Sequence, residues 1–352
     1  MPVMAGDAPH VTMIPLLGAL HLRYPRYNAA VVEELLNASR PQALAIEPLP
    51  AGFEREPAWR DTEELLVPWV VVPWAERRRL RAIGVYEPSP DPRAQADMAR
   101  YLATYPSARR ALDAAAAEER PLAGLLAEAL TIERVEHDIL PPLARSRALR
   151  LEAFGDGPGT DWLEARAEAS AERVLALGVE RTTLVAAVDR FAALREALER
   201  RGANVSIPGS PHPSEAAGER ALLDLAWRGE GADPGSVVAR LRALGHAEAR
   251  YHAANLLLAN GHVAEALEEL EGVLRLDFAR PPFLPALVLA RLGQLRDVAG
   301  RRNDALRAYR GVMALDWAPV DARDAARAGI DAPFAFAEGG EGDPTETDVN
   351  GA

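Results

Sequence analysis

The chain reads as an α/β parallel-sheet domain with a helical insert, followed by an all-α helical repeat domain. Three observations predict this. Short apolar runs alternate with amphipathic helical patterns over residues 11–86 and again over 166–201, which is the sequence form of strands joined by helical crossovers. A Gly-, Pro- and Ser-rich stretch interrupts the pattern at 203–213, and beyond it a helical pattern recurs at an offset of 39 residues. The expected organisation is therefore 1–202 for the α/β domain (insert about 94–151), 203–213 for a linker, 214–335 for the repeat domain and 336–352 for a disordered acidic tail.

The elements follow in order. Residues 11–22 form a buried apolar run ending in Gly18-Ala19-Leu20-His21. Asn28 precedes a helical pattern over 29–38 with Val31, Val32, Leu35 and Leu36 on one face, and Pro41 stops it. The next strand, 43–46, runs into Glu47-Pro48. A helix over 67–79, broken near Pro73, leads to a strand over 81–86 that runs into Glu87-Pro88. Residues 94–151 read as helices punctuated by Pro106, Pro121 and Pro141-Pro142. After a glycine-rich loop at 155–159, a helix over 166–177, a strand over 182–188 and a helix over 190–201 close the domain.

In the last third, Gly272-Val273-Leu274-Arg275-Leu276-Asp277 recurs as Gly311-Val312-Met313-Ala314-Leu315-Asp316, and Ala266-Leu267 as Ala305-Leu306. Each copy has a small-residue turn, Asn260-Gly261 or Gly300-Arg301, between two helices. Residues 214–244 supply a further, divergent pair or a cap. Two such helix pairs resemble tetratricopeptide units, which implies a scaffold for an unidentified protein or peptide partner.

Composition removes several chemistries. Cys is absent, so thiol nucleophiles, thiolate zinc sites and disulfides are excluded. All 40 basic side chains counted as Lys plus Arg are Arg, which excludes Schiff bases, a phosphate-loop lysine and a lysine base. The net charge of -12 gives no cationic surface for nucleic acid or anionic lipid. No run is long enough to span a bilayer and no basic segment precedes the first apolar run, so the expected location is cytoplasmic.

Ligands of open parallel sheets collect beyond the carboxyl ends of the strands. His21, Glu47 and Glu87 fall at three such ends and are the candidate catalytic residues. A His with two carboxylates suits general base activation of water or a divalent metal ion. Counting about 100° per residue from Leu122, Glu133, Glu136 and His137 share the apolar face of a helix, which would lid the sheet and add metal ligands to His21 and Glu47. His246, His252 and His262 share no metal-like spacing.

Here the chain resembles the TraB/ChaN/Tiki and erythromycin-esterase-like superfamily over residues 11 to about 202. Gly18-Ala19-Leu20-His21 matches its first G-x-x-H motif, and Arg40-Pro41-Gln42-Ala43-Leu44-Ala45-Ile46-Glu47 its following strand. Residues 166–174 and 183–198 resemble its late helix and closing strand and helix. The resemblance implies a metal-dependent peptidase or esterase. The chain departs from the pattern at Ala187 and Arg190, where the second motif has Gly and His, and at Ala167. An arginine cannot ligate a metal, so Arg166 and Arg190 become candidates for binding a substrate carboxylate or phosphate. A catalytically degenerate binding or scaffolding protein is the alternative, and iron or haem binding, as in the ChaN branch, a third reading.

Overall fold

In the computed structural model, residues 8–55, 57–86, 100, 104–155, 161–229 and 233–336 are described. The chain divides into two compact units, Met1–Gly231 and Ala232–Ala352.

The first unit is built on five strands: β1 (His10–Leu16), β2 (Ala43–Pro50), β3 (Arg81–Tyr86), β4 (Arg181–Ala187) and β5 (Asn204–Ser206). Their order is β3-β2-β4-β1-β5, and every neighbouring pair is parallel. β1 and β4 run in register from His10↔Arg181 to Leu16↔Ala187. Val11, Met13, Ile14 and Leu16 are all buried, as expected of a strand covered on both faces.

Two features of the sheet shape the region beyond its carboxyl edge. β1 stops at Leu16, short of the expected 22, because Gly18 turns the chain with φ +59° into a 3-10 helix, Gly18–Arg23. β2 carries a register irregularity between Ile46 and Pro50, the stretch that contains Glu47. The bulged backbone crosses Gly84 so closely that a Cβ there would lie 2.1 Å from the Pro50 carbonyl oxygen, which leaves room for glycine alone.

α1 (Ala29–Ser39) is capped by Asn28, whose Oδ1 accepts the amides of Ala30 and Val31, and it buries the expected Val31, Val32, Leu35 and Leu36. A π-helical turn, Val67–Val71, runs into α2 (Val72–Arg78), with Pro73 in the first turn, where a missing amide is tolerated. The insert comprises α3 (Pro106–Glu119), α4 (Leu122–Ala127) and α5, which consists of Ile132–Arg134, a π turn Val135–Ile139 and Leu140–Phe154. α6 (Asp161–Leu175) packs on β3, and α7 (Val188–Arg200) follows β4 directly.

The boundary between the units differs from the expected linker at 203–213. Asn204–Ser206 pairs with β1, and α8 (Glu215–Trp227) packs on α1, where Asn28 Nδ2 donates to the Ala217 carbonyl at 2.9 Å. Three polar-flanked residues give no period-2 signal, so composition alone reads them as linker.

The second unit holds α9 (Pro234–Leu244), α10 (Ala247–Ala259), α11 (Val263–Val273), α12 (Leu284–Val298), α13 (Arg302–Met313) and α14 (Val320–Asp331), each packed on the next. The 39-residue period is present in the backbone: Gly261 and Gly300 take φ +80° and +73° at the turns after α10 and α12. It recurs in the packing, since Gly272 lies against Arg250 and Gly311 against Leu289. The core between α12 and α14 closes on Tyr309, whose hydroxyl donates to Asp297 Oδ2 at 3.0 Å. The tail beyond Phe336 lies outside the described residues.

Candidate functional site

The turn after β1 determines what His21 can do. Its Nε2 accepts the Leu17 amide at 3.0 Å, so the ring proton resides on Nδ1, which donates to the Tyr27 carbonyl at 2.7 Å. The ring is buried against the Tyr27 ring, with centroids 4.8 Å apart. Burial pushes its pKa down to about 4, against the opposing pull of the Tyr27 carbonyl. His21 is therefore a neutral imidazole with both nitrogens engaged by backbone, and its work in this arrangement is to hold the turn.

Glu47 occupies a different environment. It is buried at the bulge of β2, with Oε1 2.6 Å from Arg190 Nε and 3.5 Å from a terminal nitrogen of Arg166. Its Oε2 is buried and has no hydrogen-bond partner. Burial raises its pKa, while Arg190 and then Arg166 pull it down.

Arg190 comes from the first turn of α7 and Arg166 from α6. The Arg166 guanidinium lies over the Tyr86 ring, 3.8 Å from its centroid, at the end of β3, and Arg190 is 6.0 Å from the same ring. Burial and then the neighbouring Arg190 charge lower the Arg166 pKa. Two cations thus share one carboxylate and one aromatic face.

A fourth charged group completes the set, one the sequence reading passed over. Glu64 is buried between two helical turns and accepts the Gly18 amide on Oε2 at 2.8 Å. Burial raises its pKa to about 7, with the Gly18 amide and Arg190 opposing and Asp189 and Glu47 reinforcing the rise. It sits on a segment with no periodicity. The only available signal is a carboxylate pair, Glu63-Glu64, set directly before the apolar run 65–72.

The remaining candidates do not join this cluster. Glu133 receives both the amide and the hydroxyl of Ser210. Burial opposes these bonds, yet they bring its pKa down to about 2. Glu136 is half-buried and His137 is exposed to solvent, which removes the expected lid. The physical reason is that α4 ends at Ala127 and a new helix starts after Thr131, whose hydroxyl accepts the Arg134 amide, so the rotation counted from Leu122 is not continuous. Glu87 lies outside the described residues.

These donors do not fit a metal. His21 Nε2 is taken by the Leu17 amide, Glu47 by guanidiniums and Glu133 by Ser210, and among the described residues no three His, Asp or Glu side chains are grouped as ligands. Four arginines of the second unit likewise face carboxylates: Arg296 and Arg301 reach Glu271, Arg301 and Arg307 reach Asp304, and Arg302 reaches Asp297.

What the cluster can do follows from its members. Two guanidiniums offer planar donors to an anion or to a developing oxyanion, and two buried carboxylates of unlike surroundings can hold or release a proton. No helix of the described residues is long and apolar enough to cross a membrane. Compared with family models, with curated proteins and with solved structures, the chain matches none of them.

Proposed function

We propose that the first unit is a hydrolase-like domain that takes a small ester- or peptide-like ligand at the carboxyl end of its sheet. Arg190 and Arg166 receive the negative charge that develops on the ligand, and a carboxylate of the site activates water. The observation that carries this reading is the convergence of Glu47, Arg166 and Arg190 from three separate segments, with Glu64 held by Gly18 just past the neighbouring β1 and Glu47 Oε2 buried and unpartnered. The resemblance to the TraB/ChaN superfamily supports the same class. The proposal departs from it in giving His21 a structural role and in routing no step through a metal.

The test is turnover of a panel of esters and peptides by the full chain. Arg190→Met should abolish turnover and Glu47→Gln should lower it, whereas His21→Gln should keep it per folded molecule. A wild-type chain that turns over nothing in the panel ends the proposal.

A binding domain without catalysis is the second reading. It is favoured by Arg166 and Arg190 lying together on Glu47 Oε1, because paired guanidiniums can bind an anion with no bond being broken. Thermal stabilisation by small carboxylates or phosphates, with no turnover, would select it.

For the second unit we propose a tetratricopeptide-like scaffold that binds a protein or peptide, supported by the 39-residue equivalence of its turns and glycine contacts. Because most of its arginines already face carboxylates, an acidic partner is not favoured. Crosslinking of the full chain, competed by a peptide from any partner identified, tests this. Failure of that competition counts against it.

A further inference from the structure

The two buried carboxylates lie at the same edge of the sheet, Glu64 bonded to Gly18 just past β1 and Glu47 to Arg190 just past β4, strands in register to Leu16↔Ala187, but they are held in different ways. Glu47 Oε1 is 2.6 Å from the Arg190 guanidinium, with Arg166 at 3.5 Å. Glu64 is bound by a neutral group instead: the Gly18 amide donates the one hydrogen bond to its carboxylate among the described residues. The charged groups acting on Glu64 are Arg190 and Asp189 at the start of α7 and Glu47 at the bulge of β2, and the buried Tyr27 phenol feels its charge in turn. At Glu47 two guanidiniums oppose the upward pull of burial, whereas at Glu64 the bonded group is a neutral amide and the neighbouring anions Asp189 and Glu47 add to that pull. Unlike surroundings for two carboxylates in one site are what separates the tasks of proton transfer and charge placement.

Resting on the hydrolase reading above, we propose that Glu64 is the proton-exchanging carboxylate of the site, and that Glu47 is a positioning residue that holds Arg190 and Arg166. In the acylated-alcohol case the Glu64 carboxylate takes a proton from water as the water oxygen bonds to the ester carbonyl carbon. The carbonyl π electrons move to oxygen, where Arg190 faces them. Collapse of that intermediate breaks the bond to the alcohol oxygen, which recovers the proton from Glu64. A pKa raised to about 7 suits this exchange, since it leaves both protonation states populated near neutrality. Gly18 gains a role by the same geometry, because its amide fixes Glu64 at the tip of β1.

The experiment uses the full chain and p-nitrophenyl acetate as the probe, with hydrolysis followed from about pH 5 to about pH 9 beside a carbon-13 titration of the glutamate carboxyls. The wild-type rate should rise with a midpoint near 7, matched by one carboxyl resonance that Glu64→Gln deletes. Glu64→Gln should lower the rate about a hundredfold and flatten the rise. Glu47→Gln should lower the rate but keep a rise, with its midpoint displaced downward by the loss of a neighbouring anion. A rise that survives Glu64→Gln, or a Glu64 resonance titrating in the ordinary carboxyl range while hydrolysis persists, overturns this inference alone. Absence of hydrolysis in the wild type overturns the hydrolase reading and this role with it.

Discussion

Arg190 Nε lies 2.6 Å from Glu47 Oε1, so a residue in the first turn of α7 neutralises the carboxylate at the bulge of β2. The pair joins β2 to the helix that follows its neighbour β4, and Glu47 is buried while Arg190 remains part-exposed. Removing Arg190 alone leaves the buried Glu47 charge with only the more distant Arg166, which is worse than removing both partners of the pair. Arg190→Met is expected to destabilise the first unit by about 3–5 kcal/mol, and Glu47→Gln added to it should restore most of that. Urea unfolding of the two single variants and the double variant measures the coupling. Additive effects would show that the pair is not a unit.

His21 should matter for folding more than for chemistry. Replacing it by Ala strands the Leu17 amide and the Tyr27 carbonyl, at about 1–3 kcal/mol each. Its folded pKa lies near 4, below the free value of 6.5, so its contribution is present above pH 6.5 and is lost as pH falls toward 4. Stability of wild type and His21→Gln compared across that window should converge at the acid end.

Glu64 has the opposite sign. Its folded pKa is raised from 4.5 to about 7, so the folded state holds a proton that the unfolded chain has lost, and stability falls as pH rises through that interval. The difference corresponds to about 3 kcal/mol, and Glu64→Gln should recover stability of that order at about pH 8 while gaining nothing at about pH 4. Because His21 and Glu64 slope in opposite directions over nearly the same range, the wild type should appear flat and each single variant should unmask the other group. A sloping wild type with flat variants would contradict this.

In the second unit, Tyr309 is held between two glycines. A Cβ on Gly293 would meet its ring at 2.4 Å and one on Gly329 at 2.3 Å. Neither α12 nor α14 can retreat without opening the core around Tyr309, so Gly293→Ala and Gly329→Ala should each cost about 1–3 kcal/mol, with Tyr309→Leu relieving part of the loss. Thermal melts of the full chain, with proteolysis used to tell the two units apart, check this. An unchanged melt for Gly329→Ala would show that the ring moves freely.

The parallel strands β1 to β4 were legible because covered strands must be apolar at nearly every position, and helices between them must keep one apolar face. α1 shows it most plainly: Asn28, the buried four of its face and the stop before Pro41 all stand in the sequence. β5 was not legible, being three residues that gain meaning only by lying beside His10–Thr12. The 39-residue recurrence stood in the sequence, and the two turn glycines it pairs, Gly261 and Gly300, take the same left-handed φ.

For the site, sequence alone determined which chemistries are open, through the absence of Cys and Lys, and which strand tips carry polar groups. It also singled out Glu47, Arg166 and Arg190, which the fold brings together. Only the tertiary structure decided that His21 turns to backbone, that Glu133 is held by Ser210 and that Glu64 enters the cluster. The reason is physical: residue type and periodicity specify what a side chain can do and which face it occupies. Its partner and its desolvation are set by segments tens of residues away, and these choose between a ligand, a base and a brace.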